Sequence, residues 1–195
     1  VMTESDEYGC AEEYVAPLNN LASLLPTVLS GWGGSDDGLG MQVCSPTAGP
    51  VTSPFGCRVH PLRDRRPPRF DQRCGPGQTF HEGVDYGAPC GAPIVAARGG
   101  EITRVGFQPG GYGHWVEIRH PNGTITRYGH LAVRPPASIR EGAIVLGGDL
   151  IGQVGSTGGS TGCHLHFEVR RADGGDGGQG TPLDPLRYVR NGPCQ

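Results

Sequence analysis

Glycine breaks this chain 35 times and proline 18 times, and from about residue 45 the segments between them are short runs of alternating apolar and polar residues. Such punctuation fits either disorder or a turn-rich all-β fold, and the alternation between the breaks favours the second. Residues 94–97, 101–105, 115–120, 124–128 and 164–170 read as strands. Pro121-Asn122-Gly123 joins two of them. Asn-Gly is the strongest short-range hairpin signal, so residues 115–120 and 124–130 are expected to pair antiparallel. Residues 172–180 (ADGGDGGQG) read as a flexible loop, and 183–189 as a closing segment that packs back on the domain.

Residues 1–44 differ from the rest. Glu4, Asp6, Glu7, Glu12 and Glu13 make the start acidic, and Tyr14, Val15, Leu18, Leu21, Leu24, Leu25 and Val28 then recur at about helical spacing. One short amphipathic helix is expected, interrupted at Pro17 or Pro26, with a flexible linker over residues 31–40. The chain thus divides into an N-terminal arm, 1–44, and a mainly β domain, 45–195, long enough for an ordinary core.

A net charge of −3 and a pI near 6.2 argue against nucleic acid as the main partner. The local cluster Arg63, Arg65, Arg66 and Arg69 reads as a solvated loop. No run approaches the ~20 apolar residues of a membrane helix. No signal peptide is visible, as expected of a mature or recombinant fragment. The seven cysteines include no CxxC pair, which leaves a zinc knuckle or thioredoxin-type motif unsupported. Scattered cysteines at this density fit an oxidising compartment, so the domain is expected to be secreted or extracytoplasmic.

Three histidine-bearing segments carry the chemistry: His81-Glu82-Gly83-Val84-Asp85, Tyr128-Gly129-His130-Leu131 and His164-Leu165-His166-Phe167-Glu168. Side chains at i, i+2 and i+4 share one face of a strand. His164, His166 and Glu168 therefore face one way and Leu165, Phe167 and Val169 face the core. His81 and Asp85 share a face if their segment is extended. Two such strands offer one cavity several N and O donors. Three ligands of this kind leave one tetrahedral position open for water, as in a catalytic zinc site; structural zinc sites close with four. The helical zincin motif HExxH is absent, because the position four after His81 is Asp85.

Over residues 51–189 the chain resembles the lysostaphin/LytM-type zinc metallopeptidases of family M23. Val51-Thr52-Ser53-Pro54-Phe55-Gly56 looks like the family's opening strand, and His81 to Pro89 is similar to its HxGxDxxxP segment. Gly111-Tyr112-Gly113 with Val116, Ile118 and His120 matches its GYGxxVxIxH strand. Tyr128-Gly129-His130-Leu131 resembles its YxHL motif, and residues 156–168 are nearly its STGxSTGxHLHFE signature. The resemblance implies antiparallel sheets around a groove, zinc held by His81, Asp85 and His166, and His130 and His164 as the catalytic histidines beside the metal. It implies hydrolysis of peptide bonds in peptidoglycan stem or cross-bridge peptides, with peptidoglycan peptides as partner and no nucleic acid. Glu168 reads either as a residue that orients a histidine or as a solvent-exposed strand residue. A catalytically dead wall-binding or activator domain is the competing function. A larger wall-associated, phage or conjugation assembly is the competing setting.

Departures from the family pattern add expectations. Cys163 stands where Pro commonly precedes the HLH triplet. Cys163 reads as a disulfide half, an inert thiol or an extra metal ligand; the first is favoured, and with Asp85 and His166 as the neighbouring ligands the resemblance implies, Cys90 is its expected partner. Cys57 and Cys74 bracket a long connection before His81, and a bridge between them would stiffen one wall of the groove. Cys44 is left for Cys194 or Cys10. His114 and His120 share a strand face and are expected to be structural. Asn19, Asn20, Asp36 or Asp37 could cap the metal's open position and make the arm inhibitory.

Overall fold

The computed structural model describes residues 42–59 and 72–190. The expected arm helix, its linker, the four latency candidates and the Arg63 to Arg69 cluster lie outside the described residues, as do Cys10 and Cys194. The strands are β1 (Val43–Cys44), β2 (Val51–Ser53), β3 (Gly56–Arg58), β4 (Thr79–His81), β5 (Val84–Tyr86), β6 (Pro93–Val95) and β7 (Gly100–Gln108), followed by β8 (Gly113–Arg119), β9 (Thr124–Leu131), β10 (Ile144–Val145), β11 (Leu150–Gln153), β12 (Leu165–Arg171), β13 (Thr181–Leu183) and β14 (Val189–Arg190). The expected loop over residues 172–180 holds one short helical turn, Gly175–Gly178.

One eight-stranded sheet organises the fold. Its order is β10-β7-β8-β9-β12-β5-β2, with β13 also on β12, and every pairing in it is antiparallel. Three two-stranded sheets flank it: β3–β4, β6–β11 and the parallel pair β1–β14. The expected hairpin is β8–β9. Its turn closes through Gly123 N–H donating to His120 O at 3.0 Å, with Gly123 at φ 76°, a conformation that costs glycine little.

Alternation sorts the central strands into two faces. Val84, Tyr86, Val116, Ile118, Tyr128, Leu165, Phe167 and Val169 are buried on the core face, joined by Ile102 of β7, Ile94 of β6, Ile151 of β11 and Val154 just after it. The opposite face carries Glu117, Arg127, Glu168 and His166, and these are buried too. Register aligns them: Glu117 lies opposite Arg127, Arg127 opposite Glu168, and His166 opposite Asp85. Glu168 is 1% exposed, which excludes the solvent-exposed reading.

The two cysteine pairs anticipated from the departures are bridged: Cys57–Cys74, and Cys90–Cys163 across 73 residues. Cys44 is also disulfide-bonded. The second bridge ties the turn after β5 to the loop entering β12.

Candidate metal centre

His81 and Asp85 reach one point without a continuous extended segment. β4 ends at His81 in the β3–β4 hairpin, and the chain bends before entering β5 in the large sheet. Gly83 sits in that bend, where a Cβ would lie 2.3 Å from Phe167 O, so only glycine lets the bend press against β12. β5 then pairs with β12 so that Asp85 is opposite His166.

Three donor atoms converge. His81 Nε2 is 3.1 Å from Asp85 Oδ1 and 3.1 Å from His166 Nδ1, and His166 Nδ1 is 2.9 Å from Asp85 Oδ1. All three residues are buried. An ion held at ~2.0–2.1 Å by each ligand of a tetrahedral site keeps ligand atoms ~3.4 Å apart, so the observed separations are a few tenths of an ångström from that arrangement. The outer nitrogens orient the rings. His81 Nδ1 lies 2.8 Å from Pro54 O, and His166 Nε2 lies 3.0 Å from Glu168 Oε1. Each outer N–H is thereby donated to an oxygen, which leaves both inner nitrogens as lone-pair donors facing the Asp85 carboxylate. Only a shared cation, proton or metal, satisfies three converging acceptors.

The electrostatics agree. Burial would raise the Asp85 pKa, but the His166 and His81 rings, which donate to it once they take up a proton, hold it well below the carboxylate range. Burial would lower His166, yet Asp85 and Glu168 on either side push it up to about 9. The cluster therefore favours a positive charge at its centre, and a metal ion competes with protons for that position.

The other two predicted histidines stand alongside. The His130 and His164 ring centroids are 4.6 Å apart, and His164 Nε2 is 3.7 Å from Asp85 Oδ1. His130 reaches the site through an irregularity. The β8–β9 register shifts between His114 and Val116, so Gly129 and His130 together oppose Trp115. His130 adopts φ 62°, the left-handed region that histidine enters more readily than most residues. A bulge of this kind re-aims a side chain that strict alternation would send to the face of Tyr128. His130 Nδ1 is 2.8 Å from Thr157 O, and burial, with the neighbouring His166 charge, lowers its pKa to about 4. His164 Nδ1 is 2.9 Å from Gly162 O. Of the remaining histidines, His120 is buried against Gly99 O and Thr126 Oγ1 at 2.9 Å each, and His114 stacks on Phe107, both outside the cluster.

Residues that sequence reasoning did not single out hold Glu168. Arg170 Nη1 donates to it at 2.7 Å, Arg127 Nη1 at 3.4 Å, and the Tyr112 hydroxyl at 2.5 Å. Arg127 also pairs with Glu117 at 2.6 Å, and Arg170 with Glu82 at 2.9 Å. The available signal was alternation: Arg170 follows His166 and Glu168 at the same period of two. The cluster opens into a cleft of about 710 Å³, lined by Arg58, Phe80, Tyr112, His130 and His164 among others.

Comparison with known proteins agrees with this geometry. The chain matches Peptidase family M23 over residues 79–185. It is 41% identical over 136 residues to the DD-carboxypeptidase/endopeptidase Mpg of Neisseria meningitidis serogroup B, a match covering 70% of this chain and 26% of that protein. A zinc-containing peptidase from Vibrio cholerae superposes with a TM-score of 0.57 at 27% identity, over 75% of this chain and 40% of that one. The catalytic domain of lysostaphin from Staphylococcus simulans gives 0.54 at 27% identity, over 71% and 91%. The curated Neisseria relative thus extends well beyond the shared segment, to which this chain contributes about a quarter of that protein's length. With a family match spanning more than half of its residues and laid over the converging histidines and aspartate, the chain belongs to peptidase family M23.

Proposed function

We propose that residues 45–195 form a zinc-dependent endopeptidase domain that hydrolyses peptide bonds in peptidoglycan stem or cross-bridge peptides. The observation that carries this reading is the convergence of His81, Asp85 and His166 at the base of an open cleft, with His130 and His164 beside them. Zinc bound by His81, Asp85 and His166 would bring the pKa of its water toward ~7 and polarise the substrate carbonyl.

The chain's own groups do the rest. His130, anchored through Nδ1 on Thr157 O and kept neutral by burial, offers Nε2 as the proton acceptor for the attacking water. His164, anchored through Nδ1 on Gly162 O, directs its other nitrogen toward the developing oxyanion and the leaving amine. The amide C–N bond breaks, the water oxygen stays on the carbonyl carbon, and the proton ends on the amine. Similarity to a protein of Vibrio cholerae named as a peptidoglycan DD-endopeptidase, 43% identical over 88 residues, supports a wall peptide as substrate, and the Cys57–Cys74 and Cys90–Cys163 bridges support an oxidising, extracytoplasmic setting.

The test is bound-metal stoichiometry together with wall digestion, on wild type and His166→Ala. One zinc per chain and soluble crosslink fragments that vanish in the variant are expected. A well-folded wild type that binds zinc yet releases no fragments from any wall type would point to a binding or activator domain. Absence of zinc would remove the catalytic assignment.

A further inference from the structure

Among the described residues lining the cleft, Arg58 is the only guanidinium or ammonium side chain. It comes from the end of β3. A guanidinium has five N–H donors. The contact made by Arg58 is Nη2 to Asp85 Oδ2 at 3.4 Å, at the long end for such a bond. Its Nε is buried and has no partner among the described residues. Buried donors are ordinarily satisfied, so a cleft guanidinium left this far short is suited to a group that arrives with the ligand. The group that fits it best is a carboxylate, which meets the guanidinium fork with two parallel hydrogen bonds. The other cleft acids do not compete for it. Glu168 is committed to His166, Tyr112 and two arginines, and Glu82 to Arg73 and Arg170.

The position is as informative as the chemistry. Asp85 Oδ1 belongs to the donor cluster and Oδ2 faces Arg58, so one carboxylate separates Arg58 from the reacting centre. We propose that Arg58 is a specificity-determining residue that binds a substrate carboxylate carried on the carbon attached to the scissile amide nitrogen. This rests on the endopeptidase reading. Two wall bonds have that chemistry: a crosslink from a D-alanine carbonyl to the side-chain amine of a diaminodicarboxylic acid, and the terminal bond of a D-alanyl-D-alanine stem. A Gly–Gly bridge places no carboxylate there, and the domain discriminates against it.

The experiment uses synthetic peptides of the crosslinked and the terminal kind, each with that carboxylate free or as a carboxamide, and a pentaglycine peptide. Zinc content is read in parallel. Wild type is expected to prefer the free carboxylate by about tenfold or more in kcat/KM, carried mainly by KM, as when a site built for one polar group loses it. The crosslinked and terminal pairs report separately which wall bond supplies the carboxylate. In Arg58→Gln the preference falls to near unity. If Arg58→Gln keeps the preference, or loses zinc while both members of a pair fall in proportion, Arg58 only supports Asp85 and the inference is overturned. If wild type cuts no peptide, calorimetric titration of the same pairs decides. A carboxylate preference in binding that Arg58→Gln abolishes upholds the role of Arg58 and removes the endopeptidase reading. Equal binding of carboxylate and carboxamide by wild type overturns the role of Arg58.

Discussion

Glu168→Gln tests whether the buried acid behind His166 controls metal binding. The substitution keeps the side chain's shape and one acceptor oxygen. It removes the charge that Arg127 and Arg170 face at 3.4 and 2.7 Å, and it weakens the acceptor that orients His166 Nε2 at 3.0 Å. Loss of such an orienting partner costs roughly 10–100-fold in metal affinity, equal to about 1.4–2.7 kcal/mol of binding free energy. Breaking a buried charge pair by changing one member costs about 3–5 kcal/mol of stability. At roughly 2–4 °C per kcal/mol for a domain of this size, the metal-free protein should melt about 6–20 °C lower. At a fixed excess of free zinc the gap should widen further, because weaker binding contributes less to the folded state. The assays are chelator competition for the zinc Kd and thermal melts with and without zinc. A folded variant whose zinc Kd stays within about twofold of wild type would refute the reasoning, since the Glu168–His166 contact would then be packing alone.

Three other outcomes are expected. Burial lowers the His120 pKa to about 4, so the unfolded chain binds more protons between pH 6.5 and 4. That contribution is fully present above pH 6.5 and about 3 kcal/mol is lost as pH falls toward 4. Urea denaturation at pH 7 and 4.5 should therefore show a smaller acid loss in His120→Gln than in wild type. Gly83→Ala should destabilise by about 1–3 kcal/mol and weaken zinc binding, because the new Cβ meets the Phe167 carbonyl and pushes β5 from β12; an unchanged melting temperature and zinc Kd would contradict this. Replacing Cys90 and Cys163 together by Ser opens a loop closed across 73 residues and should cost about 4 kcal/mol, read by urea unfolding.

The candidate metal ligands could be named before any coordinates because they lie within short histidine-bearing segments that resemble the motifs of a known family. His164, Leu165, His166, Phe167 and Glu168 alternate at the period of a strand, and the strand is β12. The β8–β9 hairpin was legible because an Asn-Gly turn acts over a few residues. His130 was named by resemblance, but the route by which it reaches the site was not readable. Its left-handed backbone follows from a bulge defined by the register of β8 on β9, and register is a property of two strands, not of one segment.

The sequence by itself determined the β class and the hairpin, because these depend on local propensity and period, and its motifs named the histidine and aspartate candidates through a family resemblance. Tertiary structure alone decided that Glu168 is buried, that Arg127 and Arg170 neutralise it, and that Arg58 stands in the cleft beside Asp85. These facts depend on pairing between strands far apart in the chain, and one residue's burial is fixed by neighbours that its own segment does not encode.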